Sequence, residues 1–321
     1  MRETLKRWYN ESETGFEILY PFVRFREFLR EGWMPDRMHI ARGFRQTFGY
    51  PLDWNTPKTL NEKMCWMKLH YRDPRQRLAA DKYTVRDLVR ETVGEHHLIP
   101  LIQTYKRAQD IRLAELPDAF ALKVNHGSGQ NLLVREKCNE DEGRIRRQFR
   151  EWMRISHYTT SREWPYKGMQ PLIVAEELLV DEEGRIPEDY KFHCFDGRVE
   201  VVQVDIDRET RHRRNFYDTD WNLQPFIWTE WQGAQPLWPN GRDIPRPTQL
   251  KEMIEVAEKL SADFPYVRVD LFQCRSRVYF GELTFYHGSG LERFERVEYD
   301  RILGDKLTLT NSEHPTSNIQ R

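Results

Sequence analysis

The stretch YVRVDLFQCRSRVYFGELTFYHGSG, residues 266–290, contains two apolar, β-branched runs joined by a short polar segment. Side chains alternate between the two faces of a strand, so Arg268 and Asp270 share one face. Glu282 and Thr284 share a face of the second run in the same way. A three-residue loop at 275–277 would place Asp270 opposite Glu282, with Cβ atoms roughly 5 Å apart.

Two carboxylates at that distance repel each other unless a cation lies between them. Carboxylate oxygens with room for phosphate suit Mg²⁺, so Asp270 and Glu282 are candidate metal ligands. The surrounding residues are aromatic or β-branched, which predicts a buried face where unpaired acids are costly. The alternative is a solvated hairpin face on which Arg268 is the salt-bridge partner.

A second stretch, ALKVNHGSGQNLLV at residues 121–134, has a glycine-rich turn between two strand-like runs. Neither the P-loop pattern nor the dinucleotide fingerprint is present, because a strand follows the glycines and no Lys-Ser/Thr pair does. The pattern predicts a hairpin flap whose backbone N–H groups close over phosphate, with Lys123 pointing in from the first strand. The alternative is a plain tight turn. The letters HGSG return at residues 287–290.

Charge and cysteine usage exclude several classes of protein. The 321-residue chain has 50 Lys and Arg against 51 Asp and Glu, a net charge of −1, so no global field favours nucleic acid or an acidic membrane. The four cysteines are widely spaced, which fits a reducing cytoplasm. No apolar run approaches the roughly 18 residues of a membrane span, so we expect a cytoplasmic protein without an integral membrane segment.

The element pattern predicts an α+β fold rather than a doubly wound parallel sheet. Residues 1–80 are expected to be mostly helical, and a helix capped by Asp81 should end at Gly94. Asp196-Gly197 predicts a hairpin. The expected strands are 98–105, 120–126, 131–137, 172–179, 190–195, 198–207, 266–273 and 278–285, with a helix at 248–260 and a frayed tail after about residue 305.

Taken in order, these segments resemble the TupA-like family of the ATP-grasp superfamily, from about residue 57 to 304. The motifs that carry the resemblance are PKTLNEKMCWMKL, ADKYTVRDLV, LKVNHGSGQN, SREWPYKGMQPLIVAEELL, DYKFHCFDG, RRNFYDTDWN, FPYVRVDL and GELTFYHGSG. The resemblance implies two α+β lobes that clamp ATP: a small lobe at 81–175 with the flap and a large lobe at 176–305 with the metal site. A helical region at 1–80 precedes them, and a flexible tail at 306–321 follows.

The resemblance also implies roles for particular residues. Arg268 and Lys191 would be catalytic, and Asp270 and Glu282 would bind Mg²⁺. The wider superfamily has asparagine where this chain has Thr284. The ATP-binding residues would be Lys82, Lys123, His126, Gly127, Ser128, Gly129, Glu176, Glu177 and Asp189.

The implied reaction joins a carboxylate to an amine through an acyl phosphate made from ATP. Cell-surface glycopolymers or their precursors would supply the substrates. Residues 208–214 would place four arginines in one loop, which would suit an anionic acceptor; the alternative is a solvated charged loop. Residues 159–171 could present aromatic faces to sugar. Two other functions are open: a glycosyl- or phosphotransferase, for which Asp205-Ile-Asp207 fits a D-x-D motif, and a non-catalytic ATP-binding protein.

Overall fold

The computed structural model describes residues 4–5, 8–9, 12–27, 32–206 and 211–309. Four of the nine α-helices in the described residues lie within residues 1–80, the region expected to be mostly helical. The α-helices are α1 Glu13–Glu27, α2 Asp36–Phe48, α3 Leu60–His70, α4 Pro74–Ala80, α5 Val85–Thr92, α6 Glu142–Arg154, α7 His157–Ser161, α8 Leu250–Ser261 and α9 Val297–Lys306. Of the tail expected at 306–321, Lys306 ends α9, Leu307 is fully buried, and residues 310–321 lie outside the described residues.

The strands form two principal antiparallel sheets, which gives the α+β architecture expected from the sequence. One has the order β1-β4-β2-β3 and the other the order β12-β11-β5-β6-β7. The strands are β1 Leu101–Tyr105, β2 Phe120–Val124, β3 Asn131–Val134, β4 Ile173–Glu177, β5 Asp189–Phe195, β6 Arg198–Ile206, β7 Arg213–Tyr217, β8 Trp228–Thr229, β9 Trp231–Gln232, β10 Gln235–Pro236, β11 Tyr266–Cys274, β12 Arg277–Thr284 and β13 Arg293–Phe294.

The four-stranded sheet carries the first glycine turn between β2 and β3. Phe120, Leu122 and Val124 alternate along β2 and are fully buried in a core shared with Ile145 and Phe149 of α6. Lys123 pairs with Asn131 and lies on the opposite face of β2. A firmly packed strand therefore ends directly at the flap and holds its base in place.

The five-stranded sheet has one apolar face and one charged face, as the two-residue period of β11 predicts. Val267, Val269 and Leu271 are fully buried in the same core as Met253 and Leu260 of α8. The intervening residues of β11 and its neighbours β5 and β6 supply the charged face: Asp189, Lys191, His193, Gln203, Asp205, Arg268 and Asp270. The strand pattern thus concentrates ionisable groups on one side of the sheet.

The β11–β12 hairpin has the expected register but not the expected loop. Asp270 pairs with Glu282 and Arg268 with Thr284. However, Cys274 pairs with Arg277, so the loop has two residues rather than three. The register then shifts by one residue between Asp270 and Leu271, where Gly281 is left over. A Cβ on Gly281 would lie 2.9 Å from the Phe272 ring, so the bulge depends on glycine there.

Helix α3 of the N-terminal region supports the second glycine turn, residues 287–290. Gly288, Ser289 and Gly290 have φ values of 51°, 58° and 67°, which is the left-handed region. A Cβ on Gly290 would meet Met64 at 3.1 Å, so the turn lies against α3. Lys68 of α3 donates to Ser289 Oγ at 2.7 Å and to the carbonyl of Ser161 at 2.8 Å. The helix therefore fixes the turn beside the charged sheet face.

Candidate functional site

The flap is connected to the pair of facing acids through Lys82. Lys82 Nζ donates to the carbonyl of Gly127 at 2.8 Å and lies 2.9 Å from Glu282 Oε2. His126 is buried, with Nε2 3.0 Å from the carbonyl of Ile155. Ser128 and Gly129 are exposed at the tip. The base of the turn is therefore anchored, while its tip is available to a ligand.

Arg268 lies between the two candidate metal ligands. Its Nε and Nη2 donate to Asp270 at 2.6 and 2.7 Å, and Nη2 lies 3.4 Å from Glu282 Oε1. Nη2 also donates to Thr284 Oγ1 at 3.1 Å. The salt-bridge role that the sequence left open for Arg268 is therefore present, but on a buried face rather than a solvated one.

The pKa values of the two acids differ because their surroundings differ. Burial, together with nearby Asp189 and Glu282, raises the pKa of Asp270 to about 7, although Arg268 and Lys191 act in the opposite direction. Burial acts to raise the pKa of Glu282 too, but Lys82 and Arg268 hold it well below its usual range. Negative charge is thus incompletely compensated at Asp270.

A divalent cation fits this donor set. Asp270 and Glu282 are directly paired across the hairpin, and the Thr284 hydroxyl lies 3.3 Å from Glu282 Oε1. Within the described part of the chain, no three His, Cys, Asp or Glu side chains converge as a metal cluster. Two carboxylates, with phosphate and water oxygens as the remaining ligands, match how Mg²⁺ is usually bound to nucleotides. Asp270 and Glu282 are therefore the residues that would hold the cation, and their present ion-pair partners are Arg268 and Lys82.

Lys191 is buried among three carboxylates. Its Nζ contacts Asp189, lies 3.1 Å from Asp205 Oδ2 and lies 3.9 Å from Asp270 Oδ2. Although burial opposes it, these acids raise the pKa of Lys191 above its ordinary value. Asp205 was not among the expected ATP-binding, catalytic or metal-binding residues. The D-x-D pattern was its signal in the sequence, and the structure pairs it with Asp189. Asp207 lies outside the described residues.

Lys123 and Glu176 form a second charged cluster on the four-stranded sheet. Lys123 Nζ lies 2.7 Å from Glu176 Oε2, and Arg86 Nη1 lies 2.8 Å from Glu176 Oε1. Glu177 is exposed, and its backbone N–H donates to the carbonyl of Pro100. Sequence patterns did not indicate a role for Arg86, because it lies in α5 and nothing near it in the chain identifies Glu176 as its partner.

One expected feature near the site, the arginine-rich loop, differs in the structure. Arg213 and Arg214 belong to β7 rather than to a loop, and Arg214 is buried against Asp205 and Glu292. The expectation of four arginines in one loop is therefore wrong, and Arg208 lies outside the described residues. In the aromatic stretch at 159–171, the guanidinium groups of Arg72 and Arg77 lie 5.6 and 5.8 Å from the ring centroid of Trp164.

This arrangement, a glycine hairpin flap on one antiparallel sheet closing over facing acids on another, defines an ATP-grasp protein. The chain belongs to the TupA-like ATP-grasp family, whose model matches residues 62–308. The match confirms the resemblance drawn from the motifs and the fold class implied by it. No curated protein matches the chain. In the described ranges, no helix combines the length and apolar character needed to cross a bilayer.

Solved structures similar to the chain include D-alanine–D-alanine ligases and the ATP-grasp ligase PsnB. The D-alanine–D-alanine ligase of Bacillus anthracis has 18% identity and a TM-score of 0.37, covering 65% of this chain and 57% of that one. That of Helicobacter pylori has 14% identity and a TM-score of 0.37, covering 75% and 60%. The ATP-grasp ligase PsnB, complexed with precursor peptide PsnA2 and AMPPNP, has 13% identity and a TM-score of 0.37, covering 70% and 58%. The chain thus spans less than two-thirds of each of these structures.

Proposed function

We propose that the chain is a cytoplasmic, ATP-dependent carboxylate–amine ligase that forms an amide through an acyl phosphate. One observation carries the proposal: Lys82 joins the flap carbonyl of Gly127 to Glu282, the partner of Asp270, within 3 Å on each side. A phosphate-binding lid and a pair of metal-binding acids are useful together only when a polyphosphate lies between them. Membership of the TupA-like ATP-grasp family supports the same function.

The lobes have distinct tasks in this proposal. We assign residues 81–175 to the small lobe, 176–305 to the large lobe, and 1–80 and 306–321 to the flanking helical region and tail. Lys82 and Lys123, with the backbone of the flap, bind the triphosphate. Glu176 and Glu177 lie at the adenine and ribose end, and Asp189 faces the ribose or the triphosphate. When bound between Asp270 and Glu282, Mg²⁺ supplies positive charge that polarises the transferred phosphoryl group.

The reaction takes place in two steps. A carboxylate oxygen of the acid attacks the γ-phosphorus of ATP, the bond to the β,γ-bridging oxygen breaks, and ADP leaves. The amine nitrogen then attacks the acyl carbon, phosphate leaves with the carboxylate oxygen, and the amine loses a proton. Arg268 stabilises the charge that develops on the phosphoryl and tetrahedral oxygens, and we assign Lys191 a contact with the phosphate or the substrate. The closed flap keeps water from the acyl phosphate.

The substrates are an acid and an amine used in cell-surface polysaccharide or glycopolymer synthesis, such as a uronic acid or acidic amino acid and an amine co-substrate. The test is a mass-spectrometric screen of the protein with ATP, Mg²⁺ and pooled uronic acids, amino acids and amines. We expect ADP, phosphate and a product lighter than its two substrates by one water. Lys123→Ala and Glu282→Gln should abolish turnover, whereas Lys251→Ala on the exposed face of α8 should not.

Other outcomes of the screen would overturn the proposal. A product heavier than the acceptor by one sugar residue would indicate a glycosyltransferase, and phosphorylated product alone would indicate a phosphotransferase. Tight Mg-ATP binding without ADP release across the whole panel would indicate a non-catalytic ATP-binding protein. Turnover that survives Glu282→Gln would show that the reaction does not need the proposed metal site.

A further inference from the structure

Seven side chains form a closed, buried ring beneath the site. The ring consists of three cationic side chains that alternate with three carboxylates, and one imidazole completes it. Neighbouring groups are 2.6 to 3.9 Å apart. The ring runs in the order Arg268, Asp270, Lys191, Asp205, Arg214, Glu292 and His287, and then returns to Arg268. Four of these residues, namely Asp205, Arg214, His287 and Glu292, have no part in the reaction proposed above.

The tautomer of His287 follows from its neighbours. Arg268 Nη1 lies 2.7 Å from His287 Nδ1, and a guanidinium can only donate. Nδ1 must therefore be the unprotonated acceptor, so the proton of the neutral ring is on Nε2. Nε2 lies 3.0 Å from Glu292 Oε2, although at an angle outside ideal hydrogen-bond geometry. The imidazole thus receives a hydrogen bond from Arg268 and directs its own N–H toward Glu292.

Glu292 and Arg214 stabilise this arrangement. Arg214 Nη1 lies 2.6 Å from Glu292 Oε2, and its Nε lies 3.0 Å from Asp205 Oδ1. Despite burial, His287 and Arg214 lower the pKa of Glu292 to about 2, so the carboxylate stays charged. The indole of Trp228 packs against the imidazole of His287, with the two aromatic centroids 4.4 Å apart. The imidazole is therefore fixed on three sides.

We propose that His287 is a positioning residue for Arg268: its neutral imidazole, oriented by Glu292, accepts a hydrogen bond from Nη1 and fixes the plane of the guanidinium. This inference rests on the proposed function, because it assigns His287 to the reaction through Arg268. Arg268 has to remain in place when a cation competes with it for Asp270, or when a phosphoryl group competes with Asp270 for the guanidinium. The contact to His287 is the one contact of Arg268 in the ring that such competition leaves intact. His287 itself transfers no proton.

The first test needs no turnover. Long-range ¹H–¹⁵N spectra of ¹⁵N-histidine-labelled protein distinguish the two neutral tautomers, and the signals of His287 are those missing from His287→Asn. We expect the Nε2–H tautomer at about pH 7 and no titration near the ordinary value of about 6.5. An Nδ1–H tautomer, or ordinary titration, would overturn the inference whatever reaction the protein catalyses.

The second test compares two replacements of His287. The Asn carboxamide oxygen takes the place of Nδ1 as an acceptor, whereas Leu fills similar space without one. We expect His287→Leu to lower kcat roughly 10- to 100-fold with the KM for ATP changed less than threefold, and His287→Asn to recover most of the loss. His97→Leu removes another buried histidine, outside the ring, and should leave kcat unchanged. Equal kcat values for the Asn and Leu variants would contradict the positioning role. A wild-type protein with the expected tautomer but no turnover would count against the proposed function alone.

Discussion

Lys82 bridges the flap and the last hairpin, with Nζ 2.8 Å from the carbonyl of Gly127 and 2.9 Å from Glu282 Oε2. The two partners are 155 positions apart in the chain, so a single ammonium group connects the two sheets that enclose the site. The side chain is only 15% exposed, which strengthens both interactions relative to a surface pair. Closure of the flap and neutralisation of Glu282 therefore depend on the same lysine.

Lys82→Met should weaken binding of Mg-ATP. The methionine retains the length and loses the charge, so the flap carbonyl and Glu282 lose their common partner. We expect the Kd measured by calorimetry to rise about tenfold or more, because a hydrogen bond to a charged group contributes about 1.5–3 kcal/mol. Lys251→Met, on an exposed helix face, should leave the Kd unchanged. An unaltered Kd in Lys82→Met would mean that Lys82 has no role in closure.

Gly129→Ala should impair the flap without a steric clash. Gly129 has a φ of +71°, and a Cβ there would meet nothing within 4 Å, so the cost is purely conformational and amounts to about 1–2 kcal/mol. Gly184 is a matched control, since its φ is +76° and it too has open space. We expect both variants to lose similar unfolding free energy in urea and only Gly129→Ala to raise the KM for ATP. An identical KM in the two variants would show that the tip does not contact nucleotide.

Lys191→Met should destabilise the fold strongly. The lysine is 8% exposed and contacts Asp189, Asp205 and Asp270, so its removal takes one positive charge from a group of three buried carboxylates. Removing one partner of a buried ion pair costs about 3–5 kcal/mol, which chemical denaturation would detect. The exposed variant Lys251→Met provides the reference. Unchanged stability would show that water or rearrangement compensates these acids.

His287 should make stability depend on pH on the acid side. Burial lowers the pKa of His287 to about 4, below the value in the unfolded chain. Its contribution is therefore present above pH 6.5 and is lost as the pH falls toward about 4, at most about 3 kcal/mol. The groups that face it are Arg268, Glu292, Arg214 and His193. His193 adds a slope of the same sign, so the difference between wild type and His287→Asn isolates His287. Parallel stability curves over this range would contradict the shift.

In the β11–β12 hairpin, the pairing register was predictable from the sequence, but the length of the turn and the bulge were not. The sequence predicts Asp270 opposite Glu282 from a three-residue loop, whereas the structure has a two-residue turn and a bulge at Gly281. The two differences cancel, because each moves the pairing by one position. Arg275 and Ser276 adopt φ values of 49° and 59° without glycine, so no residue type signalled that turn.

Contacts between distant segments were the part that sequence patterns could not provide. The alternating face of β11 and the glycine flap follow from local spacing, and both are present. Arg86 against Glu176, Lys68 against Ser289 and Arg214 against Glu292 instead join elements up to 221 positions apart. Nothing within a strand or helix indicates which remote side chain it will meet, so these partners became visible only in the folded chain.

Transfer of ¹⁸O from the acid to inorganic phosphate shows directly whether the amide forms through an acyl phosphate. With Mg-ATP, an amine and acids labelled with ¹⁸O in the carboxylate, an acyl phosphate must pass one labelled oxygen to phosphate when the amine attacks the carbonyl carbon. We expect released phosphate that carries one ¹⁸O, in amounts equal to the amide formed. Amide formed alongside phosphate that carries no label would contradict it.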